Sequence, residues 1–309
     1  MEFSLIVPIF NEEENINILY QRCKAILVTT FASHEIIFIN DASKDNSFLL
    51  IKQLAQQDPT IKYIDLSRNF GHQIAVMAGL DCASGQTIGI IDADLQDPPE
   101  LIAEMYQKMK SGYEVVYAQR QKREGETWFK KKTAGLYYRL LSSLTNINIP
   151  LDTGDFRLID RKILNVLKQM PEKNKFLRGQ IAWAGFNQTF VEYNRSARNA
   201  GTTGYNLRKM LRLAIDGITA FSGVPLKMVT YFGIIVSLFA FITTLYVLYS
   251  IYIEENFVPG WGSLMISVLF IGGIQMIAIG IIGEYLSRMN QNILNRPLYI
   301  IKESNIDTL

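Results

Sequence analysis

Short apolar runs rich in β-branched residues alternate, over the first 120 residues, with longer stretches of amphipathic periodicity. Such runs, bounded by polar clusters, read as buried strands, and the stretches between them as helices. The pattern predicts strands at Phe3–Val7, Glu35–Asn40, Lys62–Leu66, Thr87–Ile91 and Val115–Arg120. Helices are expected from Asn11 toward Thr29, up to Gln57 behind a cap at Ser43 or Asp45, and over His72–Ala83. A further helix starts at Glu100, because Pro98 and Pro99 pre-set a first turn. Strand–helix alternation with short links means an α/β fold built on a mostly parallel, doubly wound sheet. Every polar cluster follows a strand, so the clusters collect on one edge of that sheet.

The second half of the chain changes character. No charge occurs from Met228 to Ile253, nor from Asn256 to Gly283. Each stretch exceeds the ~20 residues that cross a bilayer, which predicts two transmembrane helices. Before them, Tyr205–Val224 sets Leu207, Met210, Leu211, Ala214, Ile218 and Phe221 against Arg208, Lys209 and Arg212. That is an amphipathic helix, suited to a membrane interface or to packing on a domain. The polar, glycine-containing Arg195–Gly204 is a candidate lid. The expected organisation is a catalytic domain over 1–204, a juxtamembrane helix over 205–227, a hairpin over 228–285 and a tail over 286–309. Lys227, Arg288, Arg296 and Lys302 flank the spans, whereas the loop between them has Glu254 and Glu255 but no Lys or Arg. The positive-inside rule then puts the domain and both termini in the cytoplasm. Gly272, Gly273, Gly280 and Gly283 share one helix face, which allows close helix contact within or between subunits and hence a homo-oligomer.

Composition removes several classes of function. The net charge of +2 gives no field for nucleic acid. Cys23 and Cys82 are too few and too far apart for a disulfide framework, and His34 and His72 build no zinc cluster. The chain enters a strand at Phe3 without a secretory signal.

The chemistry concentrates at Asp92-Ala-Asp94-Leu-Gln96-Asp97. Two carboxylates two residues apart at a strand end can turn toward one point, and hard oxygens there suit Mg²⁺ or Mn²⁺ shared with a phosphate. The same edge offers Pro8 and Glu12, then Asp41, then Arg68 with Asn69. Acids in the first two loops can accept from a base or ribose, and a cation in the third can touch a diphosphate. Neither Gly-x-Gly-x-x-Gly nor Gly-x-x-x-x-Gly-Lys-[Ser/Thr] occurs, which disfavours a dinucleotide oxidoreductase or a P-loop kinase. Arg120 ends its strand on this edge as a phosphate-binding candidate, while Lys122 reads as solvated. Lys130–Lys132 can face anionic headgroups or an acceptor phosphate, with Lys131 in the middle of the run. Gly154-Asp155-Phe156-Arg157 carries no strand pattern of its own.

Val7-Pro8-x-x-Asn11-Glu12-Glu13, Asn40-Asp41-x-Ser43-x-Asp45, Ser67-Arg68-Asn69-Phe70-Gly71 and Asp92-Ala-Asp94-Leu-Gln96-Asp97-Pro98 together resemble family 2 glycosyltransferases of the GT-A fold. The narrower resemblance is to bacterial membrane polyprenyl-phosphate glycosyltransferases of the bactoprenol glucosyltransferase type, and more distantly to dolichol-phosphate mannose synthases. It extends through Thr153-Gly-Asp155-Phe-Arg157-Leu to Gly283-Glu-Tyr-Leu-x-Arg288 and Arg296-Pro297-x-Tyr299. The resemblance implies that Pro8, Glu12, Asp41, Arg68 and Asp92 hold the nucleotide and that Asp92, Asp94 and Gln96 surround Mg²⁺ or Mn²⁺. Acceptor-phosphate contacts are expected at Arg120, Lys131 and Arg198 from their placement and charge, and the resemblance implies catalytic roles for Asp94, Asp155 and Arg157, with Asp155 as base. A phosphomonoester is already largely ionised at neutral pH, its second pKa being ~6, so Asp155 can instead orient Arg157 on that phosphate.

The implied reaction is inverting transfer of a sugar, glucose from UDP-glucose in the first place, to undecaprenyl phosphate on the cytoplasmic face of the plasma membrane. A flippase and a second glycosyltransferase would act downstream. UDP-N-acetylglucosamine, GDP-mannose and UDP-aminoarabinose are alternative donors. A processive synthase would carry Gln-x-x-Arg-Trp, where this chain has Gln180-Ile-Ala-Trp183; a nucleotide-binding scaffold without turnover is the rival of another class. The chain departs from the family at Ala42, usually glycine, which implies a backbone with no need of positive φ there. It departs again at Gly204, where a basic residue is usual and Arg198 or Arg208-Lys209 can compensate. His72 stands where related chains often have lysine, and is read as a surface helix residue.

Overall fold

The computed structural model describes residues 1–121, 153–194, 224–252 and 260–306. Lys122, Arg123, Lys130–Lys132, the expected lid, the amphipathic helix before 224 and the acidic loop between the spans lie outside them. Two compact units are formed, one holding the sheet and the C-terminal segment, the other the two long helices.

Among the described residues, eight strands make one sheet in the order β7-β5-β6-β4-β1-β2-β3-β8. Its parallel centre is β1 (Phe3–Ile9), β2 (His34–Asn40), β3 (Ile61–Leu66) and β4 (Thr87–Ile90), with β1 between β2 and β4. The connecting helices are α1 (Ile16–Thr30), α2 (Ser47–Gln57) and α3 (His72–Cys82), and α4 (Leu101–Lys110) follows β4. This is the expected alternation. Side chains alternate between two cores: Phe3, Leu5, Val7 and Ile9 enter one, while Ile6 enters the other with Ile37 and Ile39. Burying each such side chain contributes roughly 1.5–3 kcal/mol, which fixes strand register. Gly79 brings α3 against the sheet, since a Cβ there would lie 2.6 Å from Ile6 Cγ2.

Beyond β4 the sheet departs from a simple parallel pattern. β5 (Val115–Arg120) does not pair with β4; β6 (Thr153–Asp160) lies between them, antiparallel to both. The Gly154–Arg157 segment is therefore the start of a strand, contrary to the sequence reading. Its pattern is hidden because Asp155 and Arg157 occupy sheet positions normally apolar, while Phe156 and Leu158 fill the first core and Ile159 the second. After β6 come α5 (Arg161–Gln169), α6 (Leu177–Trp183) and β7 (Gln188–Tyr193), the last parallel to β5. β8 (Ile301–Ser304) adds antiparallel to β3, so the end of the C-terminal tail is an edge strand of the catalytic sheet.

Pro8 sits in a central strand without cost to the ladder. Ile6 O accepts Ile91 N on the β4 side, and Ile9 O accepts Asp41 N on the β2 side, so Pro8 nitrogen faces the β4 side. β4 has ended there, at the point where strand order reverses and α/β sheets bind ligands.

In the other unit, α7 (Val224–Tyr252) and α8 (Trp261–Ile293) are long and apolar enough to cross a membrane. Apolar side chains such as Phe239 and Met276 face outward along them. A Cβ added at Gly272, Gly273, Gly280 or Gly283 would meet nothing within 4 Å, so these glycines make no close contact among the described residues.

Candidate active site

Of the four loops after strands β1 to β4 at the carboxyl edge, the first three are fastened to one another. In the β1 loop, Asn11 N donates to Ser43 Oγ (3.0 Å), and Asn11 Oδ1 accepts from Lys44 N (2.8 Å). Glu12 N donates to Ser47 Oγ and Glu13 N to Asp45 Oδ2. Asp45 also accepts from Ser47 N, but the N-cap of α2 is Asn46, not Ser43 or Asp45 as expected. Asp41 links the second loop to the third: Oδ1 accepts from Phe70 N (2.7 Å) and Oδ2 from Gly71 N (2.9 Å). This buried carboxylate thus holds the β3–α3 loop, a role beside the nucleotide contact that the resemblance implies. Glu12 Oε2 accepts from Asn15 Nδ2 (2.6 Å), and exposed Arg68 lies over the Phe70 ring at 4.1 Å.

Three of these loops carry a non-glycine residue in the left-handed region: Asn11 (φ 56°), Ala42 (φ 56°) and Leu95 (φ 58°). Each such residue costs on the order of 1–3 kcal/mol, and such strain clusters where a surface is shaped for a ligand. The expectation for Ala42 is corrected: alanine has replaced the usual glycine without relaxing the backbone. Its neighbours impose the φ, since Asp41 is fixed to the third loop and Ser43 to the first.

The reactive cluster is assembled from separate elements. Asp92 follows β4, Asp155 and Arg157 lie on β6, His72 opens α3 and Arg178 is in the first turn of α6. His72 Nε2 stands 3.2 Å from Asp155 Oδ2 and 3.6 Å from Asp92 Oδ1. Arg157 Nη2 donates to Asp155 Oδ1 (2.8 Å) and to Gly154 O (3.1 Å), and its Nε to Asp155 O (3.0 Å). Arg178 Nε donates to the same Asp155 Oδ1 at 3.2 Å. Burial opposes the His72 cation, but Asp92 and Asp155 outweigh it and raise its pKa to about 9. Burial pushes Asp92 up to about 6 against the pull of His72. Burial would also raise Asp155, yet Arg178, His72 and Arg157 hold it well below the usual carboxylate range. His72 is exposed at the start of a helix, as read, but it is also tied to Asp92 and Asp155. It stands in the first turn after the third loop, on the edge already singled out, and that position was the available signal. Arg178 carried no signal, because its helix is placed only by tertiary packing.

The other expected residues fall as follows. Asp94 is buried and its Oδ1 accepts Gln96 N at 3.2 Å. Gln96 and Asp94 stay near Asp92 in sequence; among the described His, Cys, Asp and Glu residues, His72, Asp92 and Asp155 have ligand atoms that all lie within 4.8 Å of one another. Asp97 is buried and accepts from the Tyr193 hydroxyl. Arg120 pairs by its backbone with Tyr193, while Lys131 and Arg198 lie outside the described residues. The Asp92 carboxylate, with Asp94 two residues on, fits a hard divalent cation, and its buried Oδ1 has no hydrogen-bond partner among the described residues.

Residues 4–167 match the model of Glycosyl transferase family 2. The chain is 51% identical over 304 residues to the uncharacterized glycosyltransferase YkcC of Bacillus subtilis (strain 168), covering 98% of this chain and 94% of that one. It is 43% identical over 302 residues to the prophage bactoprenol glucosyl transferase homolog of Escherichia coli (strain K12), covering 98% and 99%. To the bactoprenol glucosyl transferase of Shigella phage SfII it is 40% identical over 305 residues, covering 99% of each.

Proposed function

Since this chain belongs to glycosyl transferase family 2, we propose that it moves glucose from UDP-glucose to a polyprenyl phosphate at the cytoplasmic face of a bacterial plasma membrane. The observation that carries this reading is the likeness to bactoprenol glucosyl transferases along the whole chain, long apolar helices included. A lipid phosphate reaches a catalytic site only when that site is held at headgroup level, which two spans accomplish. Lys227, Arg288, Arg296 and Lys302 support the cytoplasmic orientation.

In this reading the nucleotide lies against the first three loops, near Glu12, Asp41 and Arg68, with its diphosphate toward Asp92 and Asp94. Mg²⁺ or Mn²⁺ held by Asp92, with Asp94 and Gln96 or with His72 beside it, would neutralise charge on the leaving diphosphate. An acceptor phosphate oxygen forms the new bond to the anomeric carbon as the bond to the diphosphate breaks. The nucleoside diphosphate leaves with the electron pair, and the configuration inverts. That oxygen needs no proton removed near neutral pH, since the second pKa of a phosphomonoester is ~6. Asp155, surrounded by Arg157, Arg178 and His72, is a poor base and a good anchor for those cations. The product would be a lipid-linked sugar for a flippase and a further transferase.

The test is transfer by purified full-length protein given undecaprenyl phosphate and a panel of labelled UDP-glucose, UDP-N-acetylglucosamine, GDP-mannose and UDP-aminoarabinose. Labelled lipid from UDP-glucose is expected. Turnover of none of these donors would leave the scaffold reading in its place.

A further inference from the structure

The charges at the carboxyl edge are separated into two halves. Asp92 with Asp94 and Asp97 makes an acidic half after β4, where the cation and the donor diphosphate belong. On the β6 and α6 side stand Arg157 and Arg178 with Asp155 between them, and His72 joins the halves. Arg157 has a side chain only 1% exposed, and its Nη1 has no hydrogen-bond partner among the described residues. Its guanidinium also lies 5.5 Å from the Tyr117 ring centroid, so its environment is largely removed from water. A buried guanidinium N–H left without an acceptor is costly, and such groups are kept where a ligand supplies the missing oxygen. Fork-shaped donors matched to a phosphate are the usual such pair.

We propose that Arg157 and Arg178 form a pocket for a single phosphate group, the phosphomonoester of the lipid acceptor, with Asp155 as the counter-ion that fixes both guanidiniums. This rests on the polyprenyl phosphate reading above and adds Arg178, beside Arg157, to the acceptor site. Two forked guanidiniums suit a phosphomonoester, and separation from the acidic half keeps acceptor and donor phosphates apart. The Asp155 carboxylate, bonded to both arginines, aligns them before the ligand arrives.

The test measures binding directly, so it does not depend on turnover. Full-length protein in nanodiscs is titrated with a short-chain polyprenyl phosphate, with the polyprenol of the same length, and separately with UDP and Mn²⁺. Wild type is expected to prefer the phosphate to the alcohol. Arg178→Gln should weaken polyprenyl phosphate binding by roughly 10- to 150-fold, the loss expected for a charge-assisted hydrogen bond. UDP affinity should be unchanged, and Arg178→Lys should recover part of the loss. A fall in UDP affinity with lipid binding intact would assign the pocket to the donor and overturn the proposal. No change in either ligand would leave Arg178 as a structural partner of Asp155 and also overturn it. Should Arg178→Gln fail to fold, Arg178→Lys decides: several-fold weaker phosphate binding with normal UDP binding supports the pocket, and wild-type binding rejects it. Wild-type protein that does not discriminate phosphate from alcohol sinks the acceptor reading itself. Discrimination by wild type with Arg178→Gln unaffected sinks this inference alone.

Discussion

His72 Nε2 lies 3.2 Å from Asp155 Oδ2, joining the first turn of α3 to β6 across the end of β4. The contact converts a loop-end imidazole and a strand carboxylate into one unit with Asp92. It also sets up a pH dependence whose sign can be worked out.

The pKa of His72 is raised from the ordinary 6.5 to about 9, so its pair with Asp155, which stays ionised, stabilises the fold fully below pH 6.5 and is lost as pH rises through 9. His72 is 38% exposed, and solvent screening reduces the effect to about 1 kcal/mol. In a chelator, with no divalent metal present, wild type should melt about 2–4 °C above His72→Gln near pH 6. The two should converge near pH 10. A gap that stays constant with pH would show that the imidazole acts by packing alone.

Asp94→Asn keeps the shape of the loop, since the amide oxygen of the new side chain can still accept from Gln96 N, but it removes a charge beside Asp92. Transfer should fall by at least about 100-fold, as loss of metal-centred stabilisation worth several kcal/mol requires. Melting temperature should change little. Near-normal turnover with Mg²⁺ or Mn²⁺ supplied would remove Asp94 from the metal set.

Ala42→Gly relieves a φ of 56°. The left-handed conformation costs alanine about 1–2 kcal/mol, of which glycine's larger chain entropy returns about 0.5–1. A net gain of about 0.5–1 kcal/mol is expected, read as a higher melting temperature. A lower one would mean that the Ala42 methyl makes a contact worth more than the strain.

Membrane orientation is open to labelling. In a background with Cys23 and Cys82 replaced by alanine, an impermeant thiol reagent outside the cell should reach a cysteine placed at Glu255 and miss one at Leu309. The opposite pattern would put the nucleotide-binding loops on the wrong side for a cytosolic donor.

Tyr299 ties the C-terminal segment to α3 through its hydroxyl, which donates to Asp81 Oδ2 at 2.9 Å. Tyr299→Phe should cost roughly 1–3 kcal/mol, because a charged acceptor loses its partner. Hydrogen exchange along Ile301–Ser304 and the β3 edge should rise in step. Unchanged protection would show that β8 pairing alone holds the tail.

The sequence by itself determined whatever depends on local periodicity. The parallel core β1 to β4 and its helices were legible because Phe3–Val7 or Thr87–Ile91 must be buried on both faces wherever they lie. The gathering of Glu12, Asp41, Arg68 and Asp92 on one edge followed from that alternation and strand direction alone. Charge-free stretches marked α7 and α8 for the same local reason. Only tertiary structure decided what sits beside β4. β6 enters antiparallel between β4 and β5 with Asp155 and Arg157 in its ladder, and no run of apolar residues announces a strand whose charges neutralise one another. Arg178 reaches Asp155 from a helix 23 residues further on, and His72 reaches it from 83 residues before, separations no local pattern encodes. The φ at Ala42 likewise came from its neighbours, since the hydrogen bonds that Asp41 and Ser43 accept from other loops outweigh alanine's own preference.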